Sequence, residues 1–152
     1  MAESNKSTKG IPSIVWWTTL IVTVAGVIID KLFEVIVKSL NKDSFSALRN
    51  LFTADQPDYF PLLYILIVFA AMLFTVLLYS YLRDRLPSSW VISGIIIGII
   101  LFFISDLPAL FQIGFITKLP GDLIRLMSTA ALGSDIAKGI VLCYTYSKLT
   151  KK

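Results

Sequence analysis

From Tyr59 to Leu82 the chain carries no charged residue. About 20 apolar residues suffice to carry a helix across a bilayer core about 30 Å thick, so this run is long enough to span it. Inside lipid its backbone groups have no water to bond, which leaves a helix as the form that satisfies them. Tyr59, Tyr64, Tyr79 and Tyr81 supply interfacial aromatics towards its ends. Three other apolar stretches accompany it. The sequence therefore predicts an all-α fold, an integral membrane bundle of four transmembrane helices with spans at about 13–38, 59–82, 88–105 and 122–147. A polar N-terminus, 1–12, precedes this single membrane domain of 13–148, and a basic tail, 149–152, follows it. A short interfacial helix is expected in each outer loop, within 41–58 and after Pro108.

Composition agrees and narrows the chemistry. The chain has 152 residues, 56% of them hydrophobic, and a mean hydropathy of +0.78. It has no histidine and a single cysteine, Cys143, so haem ligation, a thiolate metal cage, a CxxC redox pair and an internal disulfide are all disfavoured. No cofactor and no metal site is expected. The net charge of +4 does not point to nucleic acid, because the basic residues sit at segment ends, where membrane orientation accounts for them. Lys6 and Lys9, Arg83 and Arg85, and Lys148, Lys151 and Lys152 fall on one side, which predicts both termini in the cytoplasm; a plasma or inner membrane is the default expectation for a sequence in which no targeting signal is read. The first apolar run lacks a small-residue cleavage site and continues into Asp30-Lys31, as an uncleaved helix would.

The polar residues inside these spans are the candidate functional groups. Asp135 falls near the middle of the last segment, where a lone charge costs from about 2.5 to more than 10 kcal/mol. Lys138, three residues on, is placed to neutralise it on the same helix face. In the first segment Thr19, Thr23, Gly26, Asp30 and Glu34 form one narrow stripe, which should face protein or trapped water. Asp106, Arg125 and Ser128 complete the candidate lining of a hydrated cavity that opens outward. Carboxylates there can bind a cation or relay protons, or can pair internally to fix helix register. Gly26, Gly94, Gly98 and Gly139 are candidate packing positions. Gly94 and Gly98 form a GxxxG pair with Ser105 on the same helical face, and Ala70, Ala71 and Thr75 supply the expected packing face of the second segment.

Two faint matches suggest a duplicated hairpin. Trp17 to Asp30 answers to Trp90 to Asp106, and Tyr79-Ser80-Tyr81 answers to Tyr144-Thr145-Tyr146. With two spans in each half, such a repeat would be parallel and would place Asp30 and Asp106 at similar depth, with Asp135 beneath them.

With Trp near the first span, Gly94 and Gly98 in the third and Gly139-Ile140-Val141-Leu142 closing the fourth, the layout resembles uncharacterised families of small four-span membrane proteins. That resemblance implies a topology and no chemistry. The function expected from the residues is that of a transporter, channel or accessory subunit centred on Asp135 and Lys138. The alternative is a non-catalytic assembly protein that binds partner helices through its small-residue faces. Partners are then the lipid bilayer and either further copies of the chain or another membrane protein. Nothing in the spacing of acids and bases is diagnostic of an enzyme.

Overall fold

The computed structural model describes residues 11–40, 60–117 and 120–150, and among these there is no strand. Helix α1 is Ile11–Leu40 and α2 is Phe60–Leu82. A short turn, Arg83–Arg85, leads to α3, Trp90–Leu101, and after a π-turn at Phe102–Asp106 come α4, Leu107–Thr117, and α5, Gly121–Thr150. Pro12 and Pro61 stand in first turns, where a missing N–H leaves no helical bond unmade. The expected interfacial helix within 41–58 lies outside the described residues.

Three helical stretches are long and apolar enough to cross a membrane: Leu62–Arg85, Trp90–Ile116 and Gly121–Thr150. Helix α1, expected as a span at 13–38, is not one of these three; its second half carries Asp30, Lys31, Glu34 and Lys38. The distribution of side chains is inverted relative to a water-soluble protein. Every residue from Leu62 to Ile67 is exposed, while Thr18, Thr19, Thr23, Thr75, Ser93, Ser134, Asp135 and Lys138 are buried. Apolar surface on this scale is what lipid covers.

The stretch after Asp106 corrects an expectation. Proline at 108 predicts a break and a separate interfacial piece, yet α3, the π-turn and α4 run on as one helix. Proline removes an N–H and crowds the carbonyl four residues earlier. The wider π-turn lies directly before it, and there Leu107 N–H reaches back to Phe102 O. A π-bulge is thus the means by which the helix passes a proline without ending. Asp122, an N-cap candidate by residue type at the start of the last segment, does not cap α5. It lies in the first turn of α5, whose opening N–H groups at Leu123 and Ile124 donate to Pro120 O.

Helix α5 is the centre of the bundle. It packs most extensively on α3, next on α1, and α2 packs chiefly on α1. Helices α3 and α5 cross with their backbones nearly touching. A Cβ on Gly94 would stand 2.5 Å from Ile140 Cα, and one on Gly98 would stand 2.6 Å from Asp135 O. Gly139 fills the reciprocal position, against Gly94 O and Gly98 N. Ser105 does not share this face; it is exposed and its hydroxyl donates to Asp106 Oδ1 at 2.9 Å.

The apolar core sits in the half of the bundle nearer the chain termini. Val15 and Val22 of α1, Met72, Val76 and Tyr79 of α2, Ile97 of α3 and Leu142, Cys143 and Tyr146 of α5 form it. Tyr79 and Tyr146 meet edge to face with centroids 5.2 Å apart. The packing face of α2 is therefore Met72, Thr75, Val76 and Tyr79, and Ala70 and Ala71 are exposed, contrary to the small-residue expectation. A two-fold repeat of hairpins would require α2 to pack on α3 as α5 packs on α1. It makes no extensive contact there. The two halves are not equivalent in packing.

Candidate functional site

The other half of the bundle holds the charges. Helices α1 and α5 run antiparallel with Asp30 beside Ser134 and Lys138, Gly26 beside the Lys138 stem, and Phe33 against Gly133. The Gly26 and Asp30 positions of the α1 stripe thus face α5. A Cβ on Gly26 would stand in ordinary contact with the lysine stem, 3.9 Å from its Cγ and Cδ, so the lysine does not require a glycine there.

Lys138 Nζ lies 2.6 Å from Asp30 Oδ1 and 3.3 Å from Asp135 Oδ1. The lysine is therefore closer to the carboxylate of another helix than to its neighbour on α5. Ser134 Oγ donates to the same Asp30 oxygen at 2.7 Å. Burial separates the two acids. The Asp135 and Lys138 side chains are 4% and 8% exposed, and Asp30 is 30% exposed, so Asp30 is the outer member of the triad. Asp135 Oδ2 is buried and has no hydrogen-bond partner among the described residues. One ammonium thus serves two carboxyl groups.

Above the triad opens a cleft of about 330 Å³ between α1, α4 and α5. Asp30, Glu34 and Asp106 supply its acid groups, with Ser134 at its base, and Phe33, Leu110, Ile113 and Met127 are among its apolar walls. Glu34 is neutralised locally by Lys31 at 2.7 Å and Lys38 at 2.5 Å. Exposed pairs of this kind contribute about 0.3–0.5 kcal/mol each and serve mainly to balance charge. Asp106 forms no ion pair among the described residues.

Of the residues singled out from the sequence, Asp30, Asp106, Asp135 and Lys138 come together, with Glu34 at the rim. Arg125 does not join them; it is exposed and lies 3.8 Å from Asp122. Ser128 is half-buried and outside the cleft lining. Ser134 went unremarked as a site residue, although it adjoins Asp135. Its signal is positional: in the antiparallel pair it stands opposite Asp30 of the α1 stripe.

Compared with protein-family models, with curated proteins and with solved structures, the chain matches none. Among the described residues no group of three or more histidine, cysteine, aspartate or glutamate side chains is placed to hold a metal ion. The chemistry open to the cleft is that of charge: it can hold a cation against carboxylates while its walls cover an apolar body.

Proposed function

We propose that the chain is a small multi-pass membrane transporter whose acid-rimmed cleft receives an organic cation, with α1 as its fourth span. One observation carries this reading: a lysine shared by two carboxylates at the floor of a cleft whose further acid, Asp106, forms no ion pair among the described residues. A cleft of about 330 Å³ is at the lower end of small-molecule sites and is far larger than a single water. Its walls are mostly apolar, which suits a cation with a hydrocarbon body.

The triad supplies a route for exchange. Lys138 can stay with either acid, so an arriving cation can take Asp30 while the ammonium remains paired with Asp135. Lys138 is then an internal counter-ion that holds the carboxylates in the membrane when no substrate is present. In the loaded cleft Asp30 would face the cation and Asp135 would keep Lys138, which lowers the cost of holding these charges within lipid.

Radiolabelled tetraethylammonium entering proteoliposomes tests the proposal. The wild-type chain should take it up, and the double variant Asp135→Asn, Lys138→Ala should lose at least about ten-fold of that uptake, equivalent to about 1.4 kcal/mol. Undiminished uptake by the double variant would sink the proposal.

A further inference from the structure

At the opposite end of the bundle, near Arg83 and the end of α5, lies a second cavity of about 310 Å³. Tyr79, Arg83, Ser88, Trp90, Ser147 and Thr150 are among the residues that line it. We infer that this cavity is a binding site for the phosphate-bearing headgroup of an anionic membrane lipid.

Several observations converge on that ligand. Arg83 forms no ion pair among the described residues; its guanidinium lies over the Tyr146 ring, 5.7 Å from the centroid. The aromatic face fixes the cation in place and leaves the edge of the guanidinium able to meet phosphate oxygens two at a time. The wall opposite is stiff. Ser93 Oγ donates to Pro87 O at 2.7 Å and ties the turn before α3 to that helix, which places the Ser88 hydroxyl at the cavity.

The surroundings match a lipid better than a free anion. Trp90 meets Tyr144 edge to face at 5.2 Å, and Lys148 lies over the same Tyr144 ring at 5.6 Å. Tryptophan, tyrosine and a basic residue together are the composition of a headgroup layer. Arg85 adds a further exposed cation at this end. Basic pockets between spanning helices are recurrent sites for anionic headgroups. Beyond the cavity the exposed surface of α2 is apolar, with Leu77 and Phe74 open to acyl chains.

Native mass spectrometry of the detergent-purified chain tests this, with palmitoyl-oleoyl phosphatidylglycerol as the probe and the matching phosphatidylcholine as comparison. The wild type should retain phosphatidylglycerol saturably and at least about five-fold more strongly than phosphatidylcholine. Arg83→Gln should abolish that preference, and Arg125→Gln, which removes a cation at the other end, should keep it. Ser88→Leu fills the cavity without removing a charge and should also lose the preference. Equal retention of the two lipids by the wild type, or an unchanged preference in Arg83→Gln, would overturn the inference. So would displacement of the lipid by millimolar inorganic phosphate, which would assign the site to a free anion.

Discussion

Lys138→Met should lower the unfolding free energy of the purified protein by about 3–5 kcal/mol, the cost of removing one partner from a buried ion pair. The methionine fits the space of the lysine stem beside Gly26, so packing is nearly kept and the loss is electrostatic. Two carboxylates, Asp30 and Asp135, are left with no cation, and Asp135 is 4% exposed. Titration with SDS in mixed micelles, followed by circular dichroism, reads the effect directly. The triple variant Lys138→Met, Asp30→Asn, Asp135→Asn should recover most of it, since neutral groups can occupy the same place without a counter-charge. A single variant as stable as the wild type would mean that Lys138 does not hold the acids together.

The second large effect concerns backbone contact. Gly98→Ala should cost about 1–3 kcal/mol or more, the range for overpacking a tight core, because the added methyl meets the main chain of α5 at Asp135 and Ile136. It would lie 2.6 Å from Asp135 O and closer still to Ile136 Cα. Main chain of a central helix cannot rotate out of the way as a side-chain tip can. Gly26→Ala makes the contrast. Its nearest neighbours are at 3.9 Å and are flexible lysine and methionine atoms, so the helix preference for alanine, about 1 kcal/mol, should dominate and leave the protein as stable or more so. The same titration checks both. Equal losses at the two sites would contradict the crossing of α3 and α5 described above.

Much of this was legible from residue order, for identifiable reasons. The length of a charge-free run is bounded by bilayer thickness, so the apolar segments announce themselves. An ionisable residue within such a run is expensive, so Asp135 and Lys138 stand out. What order alone conceals is which helix faces which. The i,i+3 rule pairs Asp135 with Lys138 because both lie on one helix, whereas the shorter contact of Lys138 is to Asp30, more than a hundred positions away. The small-residue rule worked for Gly94, Gly98 and Gly139, where two backbones approach, and failed for Ala70 and Ala71, because α2 meets its neighbours through Met72, Val76 and Tyr79 instead. The faint duplication failed for a similar reason: like sequences in α2 and α5 occupy an edge and a centre.

The π-turn before Pro108 has a consequence for the cleft as well as for the proline. Positions four apart on an α-helix drift by about 40°, so from Gly94 to Asp106 a regular helix would turn its stripe by about 120°. One extra residue in the turn sets that stripe back by about 100°. Asp106 is thereby brought into phase with the glycines, and a single helix both presses against α5 below and walls the cleft above. Deleting Ile104 would remove that extra residue and leave 11 regular positions between Gly94 and Asp106, so Asp106 would stay within about 20° of the glycines and the glycine crossing would be untouched. The turn takes up one residue of chain length, so that a single helix passes Pro108 and still turns one face to α5 from the glycines to Asp106.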